Sequence, residues 1–168
     1  MANLIRQTAQ EYTNYCEKFE GDLLITLNVQ SDNPTYESIS KMIGELFYKL
    51  ECAEYGYRKR EQYKKTCRVE RIVAIEQANK VHAHVILKRF GNKSDDTILA
   101  SIVTIWHKLN GSVADTQNSY LVSINDIAIR NNTAVSHYVT KDVAWQLKQG
   151  KDVIDFSSSF IRKHSNKQ

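Results

Sequence analysis

Val69-Glu-Arg-Ile-Val-Ala-Ile-Glu76 and Val81-His-Ala-His-Val-Ile-Leu87 are two β-branched runs separated by a short polar segment around Asn79. Strand-forming residues bounded by a tight polar turn predict a β-hairpin, with strands over Val69 to Glu76 and Val81 to Lys88. Alternate side chains of a strand share a face. Val81, Ala83, Val85 and Leu87 therefore point into one layer, the natural core, and His82 and His84 point together into the other.

Working outward, Leu23 to Val29 reads as a buried strand. Asn33 offers an N-cap and Pro34 a first helical residue. Ile39, Met42, Ile43, Leu46, Phe47 and Leu50 then recur at helical spacing, predicting an amphipathic helix from 34 to about 56. Ser94-Asp95-Asp96 opens a second helix with the stripe Ile98, Ile102, Ile105, Trp106 and Leu109, ended by Asn110-Gly111. Residues 119–125 form a further strand. A third helix runs from Asn132 or Thr133 to Gln149, stopped by Gly150. The residues before Leu23 read as helical, and the basic tail from Arg162 to Gln168 as frayed. The order strand, helix, strand, strand, helix, strand, helix is the split βαβ pattern. It predicts an α+β (α/β) fold of the ferredoxin- or RRM-like kind, an antiparallel sheet with helices packed on one face.

The chain has 168 residues, which suits one domain with a sizeable core. A net charge of +4 is compatible with a polyanionic partner. Cys16, Cys52 and Cys67 are odd in number and lack C-x-x-C spacing, which argues against a zinc ribbon, redox motif or disulfide framework. With no hydrophobic leader and no membrane-length apolar run, the expectation is a soluble intracellular protein.

His82 and His84 lie ~7 Å apart along one strand face, close enough to share one metal ion. A three-residue turn of Ala78-Asn79-Lys80 would set Glu76 opposite His82 as third ligand, and a one-residue change in the turn would substitute Gln77. Two imidazoles and a carboxylate suit Mn²⁺ or Mg²⁺ acting on a phosphate oxygen. The plainer reading is two exposed strand histidines. On the third helix Val135, Val139, Val143 and Leu147 form the core stripe. Lys141 sits ~60° from Tyr138 on the side away from that stripe, and Trp145 lies two turns on. A phenol of pKa ~10 is a weak nucleophile near neutrality, but a cation and an ammonium beside it favour phenolate. The plainer reading is a half-buried tyrosine beside a solvated lysine. His107, His137 and His164 read as bystanders.

In this order the motifs resemble those of the HUH endonucleases, specifically the rolling-circle replication initiator (Rep) class with a single catalytic tyrosine. Leu24-Ile-Thr-Leu-Asn28 resembles the first-strand motif. Glu76 with His82-Ala-His84 resembles the metal-binding motif, and Tyr138-Val-Thr-Lys141 the Y-x-x-K motif. The resemblance spans about residues 22–150, leaving 151–168 as a basic C-terminal tail of a single nuclease domain. It implies that Tyr138 attacks single-stranded DNA at a replication origin, giving a 5′-phosphotyrosine and a free 3′-hydroxyl, and that the reversal rejoins strands. It implies that Glu76, His82 and His84 hold Mn²⁺ or Mg²⁺ and that Lys141 orients or neutralises. Without a Walker A pattern, helicase and polymerase would be supplied separately; with one tyrosine, termination needs a second subunit or a water.

Single-tyrosine HUH transposases carry a glutamine ligand soon after the tyrosine, and Gln146 is too far along. Relaxases place the tyrosine near the N-terminus, where Tyr12 and Tyr15 lie, but with a third clustered histidine that is missing here. A non-catalytic RRM-like module would need aromatics where His82 and His84 stand. For DNA contacts the basic stretch Arg58, Lys59, Arg60, Lys64, Lys65 and Arg68, interleaved with Tyr57 and Tyr63, suits phosphate contact and stacking. Lys88, Arg89, Lys93, Arg162, Lys163 and Lys167 are further candidates.

Overall fold

A computed structural model of the chain describes residues 2–31, 33–64, 66–78, 80–111, 121–123, 129 and 131–162. The fold is α+β. Its elements in order are α1 (Ala2–Phe19), β1 (Leu23–Asn28), α2 (Tyr36–Tyr55), α3 (Tyr57–Gln62), β2 (Arg71–Glu76), β3 (His82–Leu87), α4 (Asp95–Leu109), β4 (Val122–Ser123), α5 (Asn132–Val139) and α6 (Val143–Lys148). The strands form one antiparallel sheet in the order β2-β3-β1-β4. β1 and β2 are thus parallel to each other, joined by the α2 crossover, with β3 in the slot between them. Of the predicted strand 119–125, residues 119, 120, 124 and 125 lie outside the described residues, as does Asn79 of the hairpin turn.

Period-two alternation sends Leu23, Ile25, Leu27, Val73, Ile75, Ala83, Val85 and Leu87 to one face, under the α2 stripe Ile39, Ile43, Leu46, Phe47 and Leu50 and the α4 residues Ile98, Ile102 and Trp106. The Trp106 indole donates to the Asn28 carbonyl at 2.6 Å, pinning α4 to the end of β1. The opposite face was expected to be open, and it is not. Leu24, Ile72, Ala74 and Ile86 pack there against Cys16 and Phe19 of α1, Val139, Val143, Val153 and Ile154. Helices therefore cover both faces. Only a segment with its own apolar stripe can close a sheet face, and α1 with the α5–α6 pair supplies it.

Three local expectations are corrected. Thr35, not Asn33, caps α2. Its hydroxyl accepts from Ser38 N at 3.1 Å while Ser38 Oγ accepts from Thr35 N at 3.0 Å, a reciprocal capping box. The basic stretch after α2 contains a short helix, α3. The third predicted helix is broken into α5 and α6 at Thr140–Asp142, where the Thr140 hydroxyl donates back to Ser136 O and pairs with Thr13 of α1.

The chain after Gly150 is not simply a tail. Residues 153–160 run along the outer edge of β2. Ile75 N donates to Val153 O, Asp155 N to Val73 O, and Arg71 and Phe160 exchange both backbone bonds. Arg162, expected in the frayed tail, is held by Glu70 and by the carbonyls of Thr66 and Arg68. An edge strand leaves unpaired donors and acceptors, and this segment satisfies them. Residues 163–168, with His164, Lys163 and Lys167, lie outside the described residues. No described helix is long and apolar enough to cross a membrane.

At the start of β2, Arg71 is 3% exposed and reaches Glu51 at 2.9 Å, the Ser158 carbonyl at 2.7 Å and the face of Phe47. Glu51 is itself buried and also receives Arg60 and Val69 N. Removing one partner of a buried pair strands the other charge. Arg71→Ala is therefore expected to lower unfolding stability by about 3 kcal/mol in urea titration. A loss below about 1 kcal/mol would show that Arg60 alone satisfies Glu51.

Candidate metal centre and tyrosine

In the hairpin register Glu76 pairs with His82 and Ala74 with His84, the pairing expected from a three-residue turn. Glu76 Oε2 lies 3.3 Å from His82 Nε2 and 3.4 Å from His84 Nε2. The alternative ligand Gln77 is turned elsewhere: its side chain donates to Asp152 O. One ligand atom from each of Glu76, His82 and His84 falls within 4.8 Å of the others. Oxygen and nitrogen ligands about 2.1 Å from an ion at right angles stand about 3 Å apart, so this spacing needs only small side-chain rotations.

The ring orientations are set from behind. His82 Nδ1 lies 2.7 Å from the Lys80 carbonyl. A carbonyl can only accept, so Nδ1 is the donor and Nε2 is turned toward Glu76. His84 Nδ1 meets the Thr26 hydroxyl at 2.9 Å, across the β1–β3 pair Thr26↔His84. His84 is 1% exposed, and its Nε2 is a buried nitrogen without a hydrogen-bond partner. Two imidazole nitrogens and a carboxylate oxygen thus converge on one point, with the Lys141 ammonium 3.4 Å from the same oxygen. Outer hydrogen bonds of this kind hold ligating histidines in place. The donor set therefore fits a divalent cation with mixed nitrogen and oxygen ligands.

Charges respond accordingly. Burial pushes His84 below the ordinary histidine value, which keeps it neutral and able to ligate. Glu76 is held down at about 2, mainly by His84, with Asp142, His82 and Lys141 adding. Asp142 goes the other way, raised by burial and by the neighbouring Glu76 carboxylate.

Tyr138 stands in the last turn of α5, 44% exposed, with its ring centroid 5.0 Å from that of His84. Lys141 Nζ lies 4.7 Å from the Tyr138 centroid and 3.4 Å from Glu76 Oε2. The helix break explains this placement. Lys141 N bonds to Tyr138 O in an i→i+3 turn, and such a turn brings residues three apart into line. On a continuous α-helix Lys141 would be offset from the ring. The structure therefore brings Glu76, His82, His84, Tyr138 and Lys141 into one cluster.

It does not bring the basic stretch there. Arg60 pairs with Glu51 and Glu61, Lys64 with Glu61, and Arg68 stacks on Phe160. Arg58 and Lys59 are exposed on α3, and Lys65 lies outside the described residues. Arg60 and Arg68 sit at the Arg71 end of β2, ~17 Å along the strand from Glu76. Among the other basic candidates, Arg89 forks onto Asp95 and reaches Asp22, Lys93 pairs with Glu54, and Lys88 lies over Phe19. His137 is exposed and His107 buried in α4.

Three residues of the cluster were not anticipated. Thr26 lies within the first-strand motif and faces His84 through the strand pairing. Asp142 follows Lys141 directly, and only the helix break turns it toward Glu76. Gln146 is fully buried and bonded to the backbone of β2.

Glu76 and His84 give a pH dependence of one sign, which the raised Asp142 opposes. A depressed carboxylate adds stability above its unfolded value near 4.5 that is lost as pH falls toward 2. A depressed histidine adds stability above its unfolded value near 6.5 that is lost on acidification. EDTA-treated protein should therefore weaken steadily below about pH 6.5, and His84→Phe should flatten the upper part of that decline in urea titrations at stepped pH. An unchanged decline would remove His84 from the account.

No protein-family model matches this chain, and no curated protein or solved structure matches it. The reading of the cluster rests on its own residues.

Proposed function

We propose that this chain is a metal-dependent DNA endonuclease of the HUH kind, a single-tyrosine replication initiator acting on single-stranded DNA. One observation carries the reading. Tyr138 packs against the buried ligand-type histidine His84, while Lys141 spans the short gap between the phenol ring and the Glu76 carboxylate. A half-buried structural tyrosine does not require an ammonium, two imidazoles and a carboxylate beside it. The strand order β2-β3-β1-β4, with α2 and α4 as crossovers on one face, supports the ferredoxin-like arrangement on which the HUH nuclease fold is built.

In this reading Glu76, His82 and His84 would hold Mn²⁺ or Mg²⁺, which when bound polarises a phosphodiester oxygen and stabilises charge on it. Lys141 supplies a fixed positive charge beside the phenol ring, placed to offset negative charge that develops during attack. The Tyr138 oxygen forms a bond to phosphorus as the phosphorus–O3′ bond breaks. The phenol proton passes to solvent water before attack, and the departing 3′-oxygen takes a proton from water to become a free 3′-hydroxyl. DNA stays attached through a 5′-phosphotyrosine, and the reverse reaction rejoins ends. Exposure of Tyr138 leaves its ring accessible to a strand lying over α5. Unwinding and synthesis fall to a separate helicase and polymerase.

Gln146 argues against the transposase variant of this chemistry, because its amide is consumed by backbone groups of β2 and by Asp152 O. A non-catalytic RRM-like module gives no account of the gathering of Glu76, His82 and His84 beside Tyr138.

The test is incubation of end-labelled single-stranded DNA from candidate origins with protein and Mn²⁺, resolved on a denaturing gel. A covalent adduct is expected with wild type, absent with EDTA and absent with Tyr138→Phe. Lys141→Ala should slow adduct formation by on the order of a hundredfold, as loss of a charge-stabilising group does. An adduct that persists in Tyr138→Phe would assign the nucleophile elsewhere.

A further inference from the structure

We infer that Gln146 is a positioning residue for the metal centre, a side-chain clamp that fixes the backbone on both sides of Glu76. The inference rests on the metal-centre reading above and concerns a residue that touches none of the reacting groups.

Gln146 lies in α6 and is 0% exposed. Its Oε1 accepts from Gln77 N at 3.1 Å, and its Nε2 donates to Ile75 O at 3.1 Å. One amide thus closes a ring of hydrogen bonds over Glu76, as a neighbouring strand would. The same Nε2 also reaches Asp152 O at 3.2 Å. Strand pairing on the outer edge of β2 reaches Ile75 N, which donates to Val153 O. Beyond that point the main chain of 151–153 gives no further partner to β2, and Gln146 takes over. The last ligand-bearing turn of β2 is therefore held by a side chain, and that side chain belongs to the segment that carries Lys141.

The consequence is geometric. Glu76 ends β2 and leads into the hairpin turn, where strands ordinarily fray. Its carboxylate must stay within reach of His82 Nε2 and His84 Nε2, at 3.3 and 3.4 Å, and of Lys141 Nζ, also 3.4 Å. Gln146 N is bonded to Asp142 O, so the clamp fixes both the Glu76 backbone and the start of the segment following Lys141. Because α6 and β2 are tied at this residue, the distance between the lysine and the carboxylate is set by hydrogen bonds rather than by packing alone. Supporting hydrogen bonds behind metal ligands change affinity roughly ten- to a hundredfold when removed.

The experiment is Mn²⁺ titration of the intact chain, read by calorimetry and by the electron paramagnetic resonance spectrum of the bound ion, without DNA. Gln146→Met keeps the bulk and loses all three bonds. Gln146→Glu keeps the acceptor for Gln77 N and loses the donor to Ile75 O and Asp152 O. Ile98→Ala, in the core under α4 on the far face of the sheet, lowers thermal stability without touching the site. Expected are Mn²⁺ dissociation constants about tenfold weaker or more in Gln146→Met, an altered spectrum, and an intermediate loss in Gln146→Glu. Ile98→Ala should keep wild-type affinity and spectrum despite its lower melting temperature. Wild-type Mn²⁺ affinity and line shape in both folded Gln146 variants would overturn the positioning role alone. Failure of the wild type to bind Mn²⁺ would overturn the metal-centre reading and this inference with it.

Discussion

The register of β2 against β3 is the constraint on which the rest depends, and it is enforced from two sides. Both faces of this pair are covered by helices. Because side chains alternate, a slip of one residue would exchange the two faces of the strand that slips. A slip of β2 would drive Glu76 into the layer under α2 and α4 and move Val73 and Ile75 to the other, and a slip of β3 would do the same to His82 and His84 and to Ala83 and Val85. Burying an unpaired carboxylate among aliphatic side chains costs several kcal/mol. The apolar pattern that builds the core thus also selects the pairing that gathers the ligands. Glu76 faces His82 across the ladder, and His84 follows two residues on, on the same face.

That face is apolar at the Leu24 and Ile72 end and polar at the Glu76 end. The change in character occurs where α5 gives way to α6. An uninterrupted helix would have continued its valine stripe over the strand ends and shut the cluster in. The turn at Thr140–Asp142 instead lifts Lys141 and Asp142 toward Glu76 while Val139 and Val143 remain buried on either side of it. Thr13 of α1 secures the turn through Thr140. A break in local helical regularity at the point where the chemistry is gathered is a general mark of functional sites.

How much of this was legible in the residues follows from the range of the interactions. The hairpin, α2, α4 and the three ligands rest on period-two and period-3.6 patterns, which are local and survive reading along one chain. Glu76, rather than Gln77, could be placed only as far as the turn length was known, and the strand pairing decides it. The second covered face was missed because α1 precedes the first strand and its partners lie far along the chain, at Val139, Val143 and Ile154. The helix break was missed because Thr140 reads as an ordinary helical residue until Thr13 pairs with it. The cover on β2 was missed because 153–160 bond through main-chain groups and scattered serines, which carry no periodic signature. In the basic stretch composition shows charge, whereas Glu51, Glu61 and Phe160 decide how much of it is already engaged.

The two ends of β2 divide the labour of the strand. At its start Arg71 and Glu51 neutralise each other in the interior, with Arg60 completing the pair, so the positive charge there is consumed by the fold. At its end Glu76 gathers positive and ligating groups that do not fully satisfy one another, and His84 Nε2 keeps no hydrogen-bond partner. Fully satisfied buried networks rigidify a fold. Arg60 and Arg68, engaged by Glu51 and Phe160 at the Arg71 end, stand ~17 Å along the strand from Glu76. At the Tyr138 end the nearby positive charge comes from Lys141. The clamp that keeps Lys141 and Glu76 together is therefore as much part of the electrostatics of the site as the charges themselves.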